Sequence, residues 1–286
     1  MTVIELIERS AERLEGAGVC CAQGTTNAFD EAAWLVLWRL GLPLDALDEH
    51  AERAVADTEL AAAEALIAQR IETRRPAAYL TGEAWLQGVP FFVDERAIIP
   101  RSLIAEPLVE GTLDAWMPKP PRTVLDLCTG SACLAVLAAL AWPDAAVQGT
   151  DLSADALAVA RINIERHALA SRIALRQGDG LAAARGRFDL ILCNPPYVNA
   201  QSMAALPPEF LAEPALALSG GEDGMSFIRG LLGHARRHLS DTGILVLEIG
   251  HERDHFEAAF PGLPVVWLPT SAGDEQVLLI EAGDLT

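Results

Sequence analysis

The hydrophobic positions of the chain follow one period before residue 85 and another after it. In the first part, apolar residues recur at helical spacing, for example at Leu60, Ala63, Ile67 and Ile71. No strand pattern occurs there. The first part of the chain is therefore predicted to be helical.

The pattern changes between residues 85 and 100. Apolar β-forming residues there flank Gly88 and Pro90, and a charged turn follows at Asp94-Glu95-Arg96. This arrangement predicts short strands or a hairpin. We accordingly divide the chain into a helical domain at residues 1–82, a β-hairpin linker at 83–101 and a larger domain at 102–286.

From Pro121 onward, apolar strands alternate with helical segments. The predicted strands are residues 123–128, 145–150, 173–177, 188–193, 243–249, 265–268 and 276–281, and the predicted helices are residues 131–142, 154–167, 223–239 and 252–260. This alternation is typical of a mostly parallel sheet with helices on both faces. The last two strands have no helix between them, so we expect them to pair as an antiparallel hairpin.

Charge and cysteine content narrow the class of protein. The 286 residues carry a formal net charge of −19, which argues against a protein whose main task is to grip nucleic-acid phosphates and favours basic protein partners. Five cysteines without a CxxC pair form neither a disulfide framework nor a zinc ribbon. We find no secretion signal and no apolar run of membrane-spanning length, and we expect a cytoplasmic monomer or weak dimer without a bound metal.

Polar residues follow three of the predicted strands. A loop from Asp126 to Ala132 ends the first strand, and its Gly130 permits a tight turn close to a ligand. Asp151 ends the second strand, where an acid can bind both hydroxyls of a ribose. Asp179 ends the third strand and is a candidate for an adenine amine. Each of these alone is equally a solvated acid or a plain turn, but their order on successive strands indicates a nucleotide-like ligand.

A fourth strand end carries Asn194-Pro195-Pro196-Tyr197, here called the NPPY turn. Two prolines make this turn rigid. Asn194 offers a carbonyl acceptor, Pro195 offers only its carbonyl, and Tyr197 offers a flat ring. The combination suits a planar NH₂ group whose two hydrogens are bound by two acceptors.

The NPPY turn and the Asp126–Ala132 loop resemble those of S-adenosylmethionine-dependent amino methyltransferases. Further motifs extend the resemblance to the protein-glutamine N5-methyltransferases, and within them to the branch that modifies the large-subunit ribosomal protein uL3. These motifs are Arg75-Pro76-Ala77-Ala78-Tyr79-Leu80-Thr81-Gly82, Phe92-Val93-Asp94-Glu95-Arg96, Ile99-Pro100-Arg101-Ser102, Leu206-Pro207-Pro208-Glu209-Phe210 and Gly221-Glu222-Asp223-Gly224.

The resemblance implies an α/β fold, with a Rossmann-like seven-stranded class I methyltransferase sheet and a small N-terminal helical domain that recognises the substrate. It implies S-adenosyl-L-methionine as cofactor. The expected cofactor-binding residues are Asp126, Cys128, Thr129, Gly130, Ser131, Asp151, Leu152, Asp179, Gly180 and Asn194. The expected catalytic residues are Asn194, Pro195 and Tyr197. The expected substrate contacts are Asn194, Pro195, Pro196, Tyr197, Arg101 and Glu106.

The implied reaction is methylation of a glutamine side-chain amide in a basic ribosomal protein. Alternatives are the same reaction on the Gly-Gly-Gln glutamine of release factors, adenine-N6 methylation of nucleic acid, and an inactive protein that binds assembling ribosomes. The net charge argues against direct DNA binding. The last alternative rests on Ala132, which stands where the family usually has glycine. Its β-carbon is expected to crowd the cofactor slightly, at a helix start that tolerates alanine.

Two other patterns allow a functional interpretation. His251-Glu252-Arg253-Asp254-His255 matches a zinc-protease signature, although it directly follows an apolar strand and no third ligand is evident. Arg74 and Arg75 form a basic pair that either contacts a substrate or is solvated.

Overall fold

The computed structural model describes residues 1–285, which form two compact units. The first unit contains residues 1–84 together with a short later segment, residues 206–212. The second contains residues 85–205 and 213–285. Segment 206–212, which is predicted to belong to the catalytic domain, packs with the helices of the first unit.

The first unit is helical, and local capping explains where its helices begin and end. Thr2 and Glu5 form a reciprocal capping box at the start of α1. Asn27 caps α2, which ends at Gly41 in a left-handed conformation with φ of 66°. The helices are α1 (Val3–Gly16), α2 (Ala28–Leu40), α3 (Leu47–His50), α4 (Asp57–Thr73) and α5 (Ala77–Thr81).

A buried ionic cluster ties segment 206–212 to these helices. Arg70 Nε donates to Glu31 Oε1 at 2.7 Å, and Arg74 Nε lies 2.8 Å from Glu209 Oε1. The same Glu209 oxygen lies 3.5 Å from Arg70 Nη1 and accepts the Cys20 N–H at 3.1 Å. The Glu209 and Arg70 side chains are 0% and 1% exposed. Arg74 is therefore bound to a buried carboxylate, which neither interpretation of the basic pair anticipates.

A hairpin precedes the main sheet. Its strands are β1 (Glu83–Leu86) and β2 (Val89–Phe92). Gln87 and Gly88 join them with positive φ at both positions, as in the tight turns that match strand twist.

The second unit contains a seven-stranded sheet of order β5-β4-β3-β6-β7-β9-β8. Its strands are β3 (Thr123–Leu127), β4 (Ala146–Asp151), β5 (Ile173–Gln177), β6 (Phe188–Cys193), β7 (Leu239–Glu248), β8 (Val266–Thr270) and β9 (Gly273–Glu281). The strands β3 to β7 pair in parallel, and β9 pairs antiparallel with both β7 and β8. The predicted mostly parallel sheet with a final antiparallel hairpin is confirmed.

Both faces of this sheet are buried. Along β6, Leu190 and Leu192 belong to the cluster that includes α7, whereas Ile191 and Cys193 belong to the cluster that includes α11. Strands covered on both sides read as continuous apolar runs, which explains the strand pattern of the sequence. The remaining helices are α6 (Ala105–Val109), α7 (Cys133–Ala141), α8 (Ala154–Arg166), α9 (Ala200–Ala204), α10 (Ala215–Leu218), α11 (Ser226–His238) and α12 (Arg253–Ala259).

Several element boundaries differ from the predicted ones by one to four residues, and two of these differences have a clear structural cause. Helix α7 begins at Cys133, two residues late, because Ala132 has a left-handed backbone with φ of 64°. Strand β7 begins at Leu239 directly after α11 and shows a register shift against β6 before Ile244. Within residues 1–285, every helix is too short or too polar to cross a membrane.

The strand order places the site. After β3, the chain adds β4 and β5 on one side and then returns to add β6 on the other. Ligands of open parallel sheets bind at the carboxyl ends of the strands where the order reverses. Leu127 of β3 pairs with Cys193 of β6, so the loop after β3 and the NPPY turn leave the sheet side by side.

Candidate active site

The loop after β3 is built on Asp126. This side chain is 2% exposed, and its Oδ2 accepts hydrogen bonds from Thr129 Oγ1 at 2.5 Å and from the Ala135 N–H at 2.9 Å. Burial raises the pKa of Asp126 to about 7. The Asp126 carboxylate therefore binds the loop through Thr129 and connects it to the first turn of α7 through Ala135.

Asp151, at the end of β4, bonds directly to this loop. Its Oδ2 accepts the Gly130 N–H and its Oδ1 accepts the Ser153 N–H, both at 2.9 Å. Burial raises the pKa of Asp151, and these backbone donors oppose that rise. The Asp151 backbone carbonyl accepts the Gly178 N–H just before Asp179. The structure thus brings together the ends of β3, β4 and β5, as the sequence predicts.

The side chains around Asp151 fit a nucleoside. Each Asp151 oxygen has a second lone pair left for a ribose hydroxyl. The neighbouring Leu152 is an exposed apolar side chain, at 50%, which suits the face of a base. Asp179 is exposed at the start of the turn that contains Gly180. Two carboxylate acceptors and one apolar side chain are therefore placed as the adenosine part of S-adenosylmethionine requires.

Ala132 is packed inside the protein. The residue is 0% exposed and belongs to the hydrophobic cluster that includes α7. Its β-carbon therefore does not project into an open cleft. The cost of alanine arises instead from its left-handed φ of 64°, a conformation in which a β-carbon is disfavoured. Cys128, in the same loop, shares this conformation with φ of 61°.

The NPPY turn leaves β6 and is held at its far end. Asn194, Pro196 and Tyr197 are half-buried, and Pro195 is buried. The Tyr197 hydroxyl donates to Glu248 Oε1 at 3.1 Å. Burial raises the pKa of Tyr197 well above its usual range, so the phenol stays protonated.

Three glycines make room for Tyr197. A β-carbon on Gly250 would lie 2.5 Å from Cε2 of its ring, and one on Gly224 would lie 2.3 Å from its carbonyl oxygen. A β-carbon on Gly220 would lie 2.7 Å from its backbone. Gly224 is the last residue of the Gly221-Glu222-Asp223-Gly224 motif. This motif therefore packs closely against the NPPY turn.

Sequence reasoning missed Glu248, although it is a charged residue near the end of an otherwise apolar strand. It is 3% exposed, and its Oε2 accepts from Ser102 Oγ at 2.6 Å and from the Leu103 N–H at 2.9 Å. Burial raises the pKa of Glu248, while Ser102 and Tyr197 act in the opposite direction.

The zinc-protease pattern has a different explanation. His251 lies before α12, so the two histidines do not share a helix. Glu252 is 5% exposed, and its Oε1 accepts from Asn199 Nδ2 at 2.7 Å, just beyond the NPPY turn. Its Oε2 lies 2.6 Å from His255 Nδ1. Within residues 1–285, no three His, Cys, Asp or Glu side chains lie where they could hold a metal ion.

The two remaining predicted substrate contacts are engaged within the protein. Arg101 forms two parallel hydrogen bonds to Glu213, from Nη1 to Oε1 at 2.7 Å and from Nη2 to Oε2 at 2.9 Å. Glu106 accepts the Ser271 N–H at 2.6 Å and the Ser271 hydroxyl at 2.5 Å, in the turn between β8 and β9. A substrate role for either residue stays a prediction.

Known proteins are similar to this chain over nearly its whole length. The family model described as methyltransferase small domain matches residues 112–225. Proteins named ribosomal protein uL3 glutamine methyltransferase are similar over nearly their full length. That of Burkholderia pseudomallei is 51% identical, over 99% of this chain and 95% of its own. That of Bordetella pertussis is 52% identical over 98% and 94%, and that of Neisseria gonorrhoeae is 45% identical over 98% and 94%.

The chain also resembles solved structures. The crystal structure of a methyltransferase from Pyrococcus furiosus superposes with a TM-score of 0.50 at 20% identity, over 69% of this chain and 90% of that chain. Such low identity bears on the fold alone, which is the class I methyltransferase fold.

Proposed function

We propose, since this chain belongs to the ribosomal protein uL3 glutamine methyltransferase family, that it transfers a methyl group from S-adenosylmethionine to the side-chain amide nitrogen of a glutamine in uL3. The observation that carries this proposal is the pairing of Leu127 with Cys193. That pairing sets the cofactor loop beside Asn194, so that a bound methyl donor and a bound amide would meet.

The residues for the cofactor are those at the ends of β3, β4 and β5. When bound, S-adenosylmethionine supplies a methyl group on a positively charged sulfur. Asp151 would hold its ribose hydroxyls, Leu152 would cover its base and Asp179 would bind the amine of that base. The Asp126–Ala132 loop would pass next to its amino-acid end.

The NPPY turn acts on the glutamine amide. An amide nitrogen is a weak nucleophile because its lone pair is delocalised into the carbonyl. The side-chain oxygen of Asn194 and the carbonyl of Pro195 would accept the two N–H hydrogens and so localise this pair on nitrogen. The nitrogen held in this way would take the methyl group from the sulfonium, which would become a neutral thioether, and would then give its extra proton to water.

Tyr197 supports this arrangement by its fixed position. Its hydroxyl is bound by Glu248 and its ring lies against Gly250. A ring held in this way would keep the amide in the plane that the two acceptors require. Catalysis would thus consist largely of positioning and preorganised polar groups.

A basic ribosomal protein fits the charge of the enzyme better than the other candidate substrates. A protein of net charge −19 attracts a strongly basic protein and repels RNA, DNA or an acidic protein. We assign recognition of this substrate to the helical unit, because the catalytic turn reads only a glutamine and its neighbours. Exposed acids along α1, such as Glu8 and Glu12, are suitable contacts. A ribosomal-protein substrate places the reaction in the cytoplasm.

The test is a radiomethyl transfer assay with purified uL3, a release factor and nucleic acid. Asn194→Ala should lower turnover on uL3 by about 100-fold or more, with cofactor affinity within several-fold of wild type, because it removes a transition-state contact. Asp189→Asn is the matched control, since Asp189 lies near the start of strand β6, which leads to Asn194, and its carboxylate accepts hydrogen bonds from the Arg122 and Thr123 N–H groups. Near-normal turnover of Asn194→Ala would refute this role.

Salt distinguishes the substrates further. Raising the salt from 0.1 to 1 M shortens the Debye length from ~10 to ~3 Å and should slow association with uL3. Glu8→Lys combined with Glu12→Lys should have the same effect at low salt, with kcat unchanged. Preferential methylation of the release factor or of nucleic acid, or an association rate indifferent to salt, would contradict the proposal.

A further inference from the structure

Glu248 is a buried carboxylate with an unusual set of partners. It is 3% exposed, and its three donors are the Ser102 hydroxyl, the Leu103 N–H and the Tyr197 hydroxyl. A carboxylate in apolar surroundings is costly to bury. An apolar side chain at this strand end would avoid that cost but could bind none of the three donors.

These donors come from two distant parts of the chain. Ser102 ends the Ile99-Pro100-Arg101-Ser102 motif and Leu103 follows it, just before α6. They lie 146 and 145 residues before Glu248 in the sequence. Tyr197 lies 51 residues before Glu248 and three after Asn194. One carboxylate therefore connects the segment before α6 to the NPPY turn.

The same strand end also shapes the space for Tyr197. Gly250 follows Glu248 by two residues, and a β-carbon there would lie 2.5 Å from the Tyr197 ring. Glu248 thus binds the hydroxyl of Tyr197 while Gly250 admits its ring. Together they leave Tyr197 little freedom to change its position.

We propose that Glu248 is a positioning residue for methyl transfer: its carboxylate fixes the phenol of Tyr197 and thereby fixes the NPPY turn that presents Asn194. This role rests on the proposed function. It differs from a general contribution to stability because it acts through a single oxygen atom, the Tyr197 hydroxyl.

The dependence on Tyr197 provides the test. In Glu248→Gln, the amide oxygen can still accept from Ser102 and Leu103, but its NH₂ group replaces the acceptor that Tyr197 uses. Tyr197→Phe removes the hydroxyl from the other side. Each variant should lower kcat by about tenfold, as expected for a small misplacement of a catalytic group. KM and cofactor affinity should stay within about threefold of wild type.

The double variant separates the two explanations. If Glu248 acts through Tyr197, the double variant should lose no more kcat than either single variant, since both break one interaction. Independent structural effects would multiply, giving about a hundredfold loss, and that result would overturn the proposal. Asp189→Asn serves as the control, because it changes a partly buried carboxylate away from the turn and should leave kcat unchanged.

Amide hydrogen exchange gives a readout that does not need activity. The amides of Asn194, Tyr197, Val198 and Asn199 should exchange faster in Glu248→Gln than in wild type, and Tyr197→Phe should add nothing further. Unchanged exchange would overturn the positioning role even if the enzyme proved to methylate another substrate. Conversely, faster exchange in an enzyme that leaves uL3 unmodified would refute only the proposed function. If Glu248→Gln does not fold, Ser102→Ala paired with Tyr197→Phe tests the same carboxylate.

Discussion

Arg101 and Glu213 meet edge to edge, with two parallel hydrogen bonds of 2.7 and 2.9 Å across 112 residues of sequence. The Glu213 side chain is 0% exposed. Such a bidentate pair fixes direction as well as distance, and a lysine cannot reproduce it. The pair thereby fixes the position of Glu213, the residue directly after segment 206–212.

Removing either partner of this pair should destabilise the protein. Glu213→Gln and Arg101→Ala should each cost about 1–3 kcal/mol in urea unfolding, because each breaks a bidentate, charge-assisted pair to a carboxylate that is 0% exposed. The control is Arg229→Lys, which alters an exposed pair with Asp223 and should change stability by less than about 0.5 kcal/mol. If Arg101→Ala instead raises KM for uL3 and leaves stability intact, Arg101 is a substrate contact.

Asp151→Ala should weaken S-adenosylmethionine binding by about 1–3 kcal/mol, because a charged hydrogen-bond acceptor is lost. Calorimetric titration measures this directly. Asp155→Ala removes the same charge from an exposed position on α8 and should leave the affinity unchanged. Equal affinities for wild type and Asp151→Ala would rule out the ribose-binding role.

Asp126 should make stability depend on pH. Its pKa is raised from 3.8 to about 7 by burial, so the folded protein keeps a proton that the unfolded chain has already lost. Its contribution to stability is therefore full below about pH 4, falls as the pH rises toward 7 and is constant above, with a slope of at most ~1.4 kcal/mol per pH unit.

Urea unfolding of wild type and Asp126→Asn between pH 4 and 7 measures this contribution as the difference between the two. The contribution of Asp223 to stability should have the opposite pH dependence, because the hydrogen bond from Arg229 lowers the pKa of Asp223 to about 2. Its contribution is present above about pH 4 and is lost as the pH falls toward 2. A wild-type advantage over Asp126→Asn that grows with rising pH would contradict the assignment.

Ala132→Gly should stabilise the protein by about 1 kcal/mol, because glycine adopts the left-handed conformation without a β-carbon penalty. Ala168→Gly is a matched control, since Ala168 has φ of 57° at the end of α8. Both changes should stabilise similarly in thermal unfolding. A loss of stability in Ala132→Gly would show that its methyl group contributes more packing energy than its backbone costs.

The central parallel strands β3 and β6 could be predicted because they are apolar runs that are buried on both faces. The carboxyl ends of the parallel strands then followed from general rules, which brought Asp151 and Asn194 to one edge. Glu248 and Glu209 could not be found in this way. Whether a glutamate is solvated or buried depends on partners 51 to 189 residues away, such as Tyr197 and Cys20, and no local pattern records such partners. The left-handed backbone of Ala132 was likewise hidden, because alanine is a good helix former.

The place of Glu209 bears on how the protein folds as it is made. Glu209 leaves the ribosome 189 residues after Cys20, to which it bonds, a delay of roughly ten to forty seconds at ~5–20 residues per second. During this time all five helical segments of the unit are synthesised, but Arg70 and Arg74 lack the carboxylate that they share. The unit that is synthesised first is therefore completed only after the NPPY turn has been synthesised. A nascent chain cannot finish its helical unit before it also carries its catalytic residues.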